Sequence, residues 1–432
     1  MSLRYLPQDW QDGKNGCESR EFGEFLSARS RNKLKLQPSS QPASTRLISI
    51  DALRGIAAIG VVLFHGLNTN SFVVRLGNHG LIFNTTALLF SYGYTGVFLF
   101  FVISGFCIHL RWAKSVASGK TPDTDFIGFW KRRIRRLYPA YLVALLIYML
   151  VLATEGKLSA TWFTVYDTTM HLLMLHNLDI RTCYSLNGVF WTLAIEEQLY
   201  LAYFLLLYLR NKLGWARVLA ICLLGRFGWF AICAVLHLLF RIETPASEAA
   251  ISNWFVWALG AVGVEAAFGL IQLPAWCRNW LLGAVTLCVA AGLEYAARVL
   301  AHVGRFNDVV WLITQPIWGL GFFFVVNYAV KSEERWLQLE RIPRFANWLA
   351  GVGIFSYSLY LMHELVLVQL SKIIGNSFGL SLDLRAVLSW LVLCPASILF
   401  ARVYYQFCEK PFLLRAGKEL LPAPAVKMAL DP

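Results

Sequence analysis

Arg54 and His65 lie eleven residues apart on one apolar stretch, LISIDALRGIAAIGVVLFHG (47–66), and their types and spacing suggest chemistry. An ionisable group within hydrocarbon costs between about 2.5 and 17 kcal/mol, so a residue kept there is read first as functional. Eleven residues of helix return to nearly the same face and rise about 16 Å, so both side chains would look into one cavity from different depths. A guanidinium fork suits phosphate oxygens, and a neutral imidazole can move a proton near neutral pH. Asp51, one turn before Arg54, can pair with it. The plain alternative is an arginine snorkelling to the interface beside a packed histidine.

Three other segments carry comparable groups. SLNGVFWTLAIEEQLYLAYF (185–204) holds Glu196 and Glu197 deep in an apolar helix, where packing has little use for two carboxylates. Neighbouring residues diverge by about 100°, so at most one of the two faces a given site. GVGIFSYSLYLMHELVLVQL (351–370) sets Ser356, Tyr360 and His363 on one stripe, with His363 at a depth similar to that of His65. Two histidines and a carboxylate at one depth form a candidate polar cluster. FWKRRIRRLYPAYL (129–142) crowds Lys131, Arg132, Arg133, Arg135 and Arg136 before a span. That is more charge than anchoring needs and suits phosphate. Ser104-Gly105 in TGVFLFFVISGFCIHL allows close backbone approach, to a helix or to a ligand. His109 and Arg226 show no obvious partners and are read as structural.

The elements that must position these groups are membrane helices. Hydrophobic residues make up 57% of the chain and charged ones 15%, and apolar runs of helix length recur throughout. The expected fold is an all-α, polytopic integral membrane bundle of about ten transmembrane helices. They are read near 47–67, 87–110, 138–153, 187–208, 218–240, 253–273, 280–301, 309–330, 349–371 and 386–407. Residues 1–46, basic and turn-rich, are expected to be a disordered cytoplasmic tail, and 413–432 a second cytoplasmic tail. Of the 39 Lys and Arg residues, 28 fall in alternate segments beginning with the N-terminus, which places both termini inside a cell membrane. The net charge of +13 then describes a cytoplasmic face suited to anionic lipid or a polyanionic co-substrate, and calls for no nucleic acid. Nine cysteines without CxxC or Cys/His spacing give no reason to expect a disulfide framework or a metal.

Taken in order, these segments resemble the membrane acyltransferase 3 family of O-acyltransferases. The likeness runs from about Ser49 to Phe412. It rests on Arg54 and His65, GVFLFFVISGF (96–106), RRIRRLYPAY (132–141), WTLAIEEQLY (191–200), YSLYLMH (357–363) and EKPF (409–412). Thr192 stands where serine is more usual. No hydrolase-like periplasmic domain, of the kind some members carry, follows EKPF within these residues, which leaves the acceptor more open. The resemblance implies a transmembrane acyltransferase domain over 47–412 with no permanently bound cofactor. Acyl-coenzyme A, foremost acetyl-coenzyme A, would be the co-substrate, and the acceptor a hydroxyl on a carbohydrate or other small molecule.

On that reading Arg54, Arg132, Arg133, Arg135, Arg136 and Ser104 bind the donor. His65, oriented by Glu196 or Glu197 and clustered with His363, is the general base. A covalent acyl-His65 intermediate is the variant mechanism. The rival function is a transporter or flippase for a lipid or glycan, which more often shows an internal repeat.

The topology makes a first prediction. A single cysteine placed within 118–125 should resist an impermeant thiol reagent in intact cells and react after permeabilisation. Labelling from outside would reverse the assignment.

Overall fold

The computed structural model describes residues 47–68, 80–122, 125–304, 307–378 and 382–413. Both expected tails therefore lie outside the described residues, apart from Leu413. The described residues are helical and contain no strand. Nine of their helices are long and apolar enough to cross a bilayer, and a bent pair makes a tenth. These are α1 (Ile48–Asn68), α2 (Leu81–Ser91) with α3 (Gly96–Ala117), α4 (Phe126–Thr154), α5 (Trp191–Leu213), α6 (Trp215–Phe240), α7 (Ala250–Ala267), α8 (Trp280–Leu300), α9 (Asp308–Gln338), the bent pair α10 (Arg344–Ile354) and α11 (Ser356–Phe378), and α12 (Leu384–Leu413).

Two crossings differ from expectation in ways that matter for the site. The third begins at Phe126, not near 138, so the basic run is helical and belongs to α4 itself. Lysine and arginine are good helix formers with long apolar stems, so a run of them continues a helix where its charged heads find polar surroundings. The ninth is broken at Phe355, with a 71° bend between α10 and α11.

The centre of the bundle is packed backbone against backbone. A side chain at Gly55 of α1 would collide with the Leu349 carbonyl of α10, and one at Gly353 with the Asp51 carbonyl of α1. Gly105 of α3 and Gly260 of α7 bring those helices together in the same manner. Hydrocarbon offers no hydrophobic drive between helices, so small residues that permit close approach carry the packing. Over its most apolar window α7 is 78% buried and α8 only 17%, which sets α7 at the core and α8 at the lipid-facing rim.

Polar groups inside the bundle have specific tasks. The Glu333 carboxylate of α9 accepts from the Ile48 and Ser49 amides at 2.8 and 2.9 Å and from the Ser49 hydroxyl. Orphan donors at the start of α1 are thereby satisfied and its depth is fixed. Pro316 inside α9 has no N–H to offer the carbonyl of Leu312, four residues back. Arg226 of α6, fully buried, donates there at 3.1 Å and also to the carbonyls of Trp311 and Ser252. His109 is likewise engaged, 3.1 Å from the Tyr203 hydroxyl and 2.9 Å from Glu265, whose carboxylate also takes two bonds from Arg210. Both residues thus have partners that the sequence did not reveal, and those partners are structural.

Gly353→Val should cost about 1–3 kcal/mol through overpacking and lower the unfolding temperature in detergent. Gly292→Ala, which meets open space, should leave it unchanged or raise it slightly. Equal unfolding temperatures for the two variants would contradict the close crossing.

Candidate functional site

Three cavities follow one another along α1. The first gathers Arg54 of α1, Ser104 of α3, Arg133 and Arg136 of α4, and Glu196 and Tyr200 of α5, around a space of about 80 Å³. Arg133 lies over the rings of Phe129 and Tyr200, with its guanidinium carbon 5.6 and 5.7 Å from their centroids. The Tyr200 hydroxyl donates to Glu196 Oε2 at 3.1 Å, and Trp257 Nε1 donates to Ser104 Oγ at 3.2 Å. Arg136 Nε is buried and makes no hydrogen bond. A fork of cations with an unmet buried donor suits a phosphate or carboxylate oxygen.

Arg54, Phe100, Glu196 and Tyr357 also bound a second, narrower space of about 60 Å³, which reaches Thr192 and Tyr360. The Thr192 hydroxyl donates to the Tyr360 hydroxyl at 2.8 Å, and that hydroxyl lies 3.2 Å from the Val189 carbonyl. Tyr360 and Val97 then form part of the wall of a third cavity, of about 570 Å³, which contains His65.

His65 and His363 meet edge to face, with ring centroids 5.0 Å apart and planes at 70°. His363 Nδ1 lies 2.8 and 3.1 Å from the carbonyls of Tyr360 and Leu359. Carbonyls only accept, so Nδ1 carries the proton and Nε2, which is buried and has no hydrogen-bond partner, is left with a lone pair. The bend at Phe355 turns this stripe of α11 toward α1.

The structure brings together some of the expected residues and separates others. Arg54, Arg133, Arg136, Ser104 and Glu196 share the first cavity; His65 and His363 share the far end. Glu197 does not join them. It accepts from Trp130 Nε1 at 2.8 Å and lines none of the three cavities, because its neighbour Glu196 takes the inward face. Glu196 lines the first two cavities with Arg54 and not the third, while His65 meets the rings of His363 and Phe64. Arg132 and Arg135 also line none of these cavities, and Arg135 is exposed. Arg133 and Arg136 are three residues apart and share a face, from which Arg135 is rotated away.

Glu409, within the EKPF motif, is a further polar side chain at this end that the spacing of the other residues does not single out. It is buried, accepts from the Ser358 hydroxyl at 2.6 Å, and lies in the field of Arg136 and Arg54. A glutamate just inside the last apolar run needs a counter-charge, and that is the signal the sequence carries for it.

Residues 47–405 match the family model described as an acyltransferase domain. The chain is 31% identical over 166 residues to the O-acetyltransferase OatA of Staphylococcus aureus, covering 36% of this chain and 24% of that protein. It is 31% identical over 183 residues to the peptidoglycan O-acetyltransferase OatA of Listeria monocytogenes, covering 38% and 24%. The match spans about a quarter of the length of these curated relatives. The acyltransferase MdmB of Streptomyces mycarofaciens is 23% identical over 412 residues, covering 90% of this chain and 97% of that protein. No solved structure matches.

Proposed function

The chain belongs to the acyltransferase 3 family, and on that premise we propose that it is an integral-membrane O-acyltransferase. It moves an acyl group, foremost acetyl, from cytoplasmic acyl-coenzyme A to a hydroxyl of a carbohydrate or other small acceptor. The observation that carries this reading is the series of three cavities, with arginines at one end and His65 at the other. Coenzyme phosphates suit Arg54, Arg133 and Arg136, at the end of the bundle where the basic segments cluster. The pantetheine arm is comparable in length to the rise of about 16 Å from Arg54 to His65. The narrow middle cavity admits a thin chain and is tight for a sugar or lipid head group, which favours transfer over transport.

In the reaction, His65 takes the proton of the acceptor hydroxyl as its oxygen attacks the thioester carbonyl. Collapse of the tetrahedral intermediate breaks the carbon–sulfur bond, and the coenzyme thiolate leaves with the proton that His65 took from the hydroxyl, which restores the neutral imidazole. His363, its Nδ1–H committed to backbone carbonyls, positions the His65 ring. Glu196 and Tyr200 serve the donor end, and Glu196 offsets part of the arginine charge there.

Two predictions follow from this division of labour. Arg133→Ala and Arg136→Ala should each weaken coenzyme A binding about tenfold or more, the loss of one charge-assisted contact. Arg54→Lys should act in the same direction because the planar fork is lost. Arg132→Ala and Arg135→Ala should stay within about threefold, since a surface charge interacts through high dielectric. Calorimetry on purified protein reads all five, and equal effects across the four arginines of the run would remove the proposed donor site.

His65→Ala should abolish turnover while coenzyme A affinity stays within a few-fold, because only transition-state stabilisation is lost. Near-normal turnover by well-folded protein would defeat the catalytic role. His363→Ala should lower kcat more than it changes donor affinity.

A further inference from the structure

The wide cavity around His65 has a chemical character that acyl transfer alone does not require. Its volume of about 570 Å³ suits a small organic molecule. Tyr184, Trp191 and Trp311 stand in its wall, and its charged side chains other than His65 are the carboxylates of Glu248 and Asp308. Among the described residues no lysine or arginine lines it. Among the described residues, two cations beside this wall have partners of their own. Arg181, beside the wall residue Ile180, is held by Asp179 at 2.6 Å, and Arg226, which feels the charge of Asp308, gives its guanidinium to three backbone carbonyls.

The two acids are built into the wall. Glu248 is buried, and its Oε1 accepts from the Tyr184 hydroxyl at 2.5 Å. Asn177 Nδ2 holds the Glu248 backbone carbonyl at 2.9 Å. Asp308 accepts from the Ser247 hydroxyl, and Asn253 Nδ2 holds the Ser247 carbonyl at 2.9 Å. Burial pushes the Glu248 carboxyl up to about 6, and it is still mostly ionised at neutral pH. The hydrogen bonds of the Glu248 carboxylate offset part of the cost of burying it, and the described chain sends no cation into this space to meet the rest. An ammonium group would answer the carboxylates by charge and the Tyr and Trp faces by cation–π attraction.

We infer that the acceptor admitted to this cavity is cationic: a hydroxylated molecule bearing a protonated amine, whose ammonium lies between Glu248 and Asp308 against the aromatic wall while its hydroxyl faces His65. The inference rests on reading this cavity as the acceptor site. An anionic acceptor of the same size would be repelled by both carboxylates.

Three methyl hexosides of matched size test it on the full chain in lipid nanodiscs: a 2-dimethylamino, a 2-acetamido and a uronate sugar. A tertiary amine forms no stable amide, so any product is an ester. Calorimetry on protein saturated with coenzyme A should show the dimethylamino sugar binding about tenfold tighter than the acetamido sugar, roughly 1.4 kcal/mol, with the uronate weakest. The joint substitutions Glu248→Gln and Asp308→Asn should bring that ratio to within about twofold of unity. Should the double variant lose coenzyme A affinity, as misfolded protein would, Asp308→Asn alone, at an exposed side chain, must still lower the ratio about threefold. No binding of the dimethylamino sugar, equal binding of all three, preference for the uronate, or an unchanged ratio in the variants would each overturn the inference. Ammonium preference in binding without ester formed from acetyl-coenzyme A would sink the acyltransfer reading and leave the cation site standing. Ester formed without charge preference would do the reverse.

Discussion

Two helices bring side chains into ring contact across a bilayer only when their backbones approach closely, and here Gly55 and Gly353 permit it. With no Cβ at either position, α1 lies against α10 at carbonyl contact. The 71° bend that follows swings α11 so that His363 reaches His65. The Glu333 carboxylate holds the other end of α1 and fixes how deep Arg54 sits. The separation of Arg54 from His65 is therefore set by one uninterrupted helix, and their partners are brought in by a broken one. A straight helix that kept Leu349 against Gly55 and Gly353 against Asp51 would run on toward the start of α1, away from His65.

Charge is graded along the same line. Three arginines surround the first cavity, with Glu196 and Glu409 close enough to offset part of their field. The middle section adds tyrosine, threonine and phenylalanine to Arg54 and Glu196, and the far cavity carries histidine and carboxylates. In a medium of low dielectric such a gradient is strong, because little water screens it. A polyanion is favoured at one end and disfavoured at the other, which gives the series of cavities a direction.

The number and class of helices could be read from hydropathy, because a bilayer imposes length and composition on every crossing. The residues worth attention could be read from the cost of burying charge, which singled out Arg54, His65, Glu196 and His363. Their pairings could not. Choosing between Glu196 and Glu197 needed the rotation of α5, which depends on Trp130 of another helix. Dividing the arginine run needed the fact that α4 begins at Phe126, and hydropathy ends a span where charge begins. The break at Phe355 has no proline to announce it, and Gly351 and Gly353 just before it read equally well as packing glycines within a span. The acidic wall of the far cavity comes from two connections, near 248 and 308, that look unremarkable alone and meet only in three dimensions.

Proline inside a membrane helix is usually a point of give, since one carbonyl is released and the backbone can swing about it. In α9 the released carbonyl of Leu312 is taken by Arg226, which also grips the carbonyls of Trp311 and Ser252. That guanidinium acts as a splint. It ties α9 to α6 and α7 one turn before the proline, so the backbone there is braced and is not a hinge. Pro316 and Arg226 are then one mechanical unit, and replacing either alone leaves the other with nothing to brace.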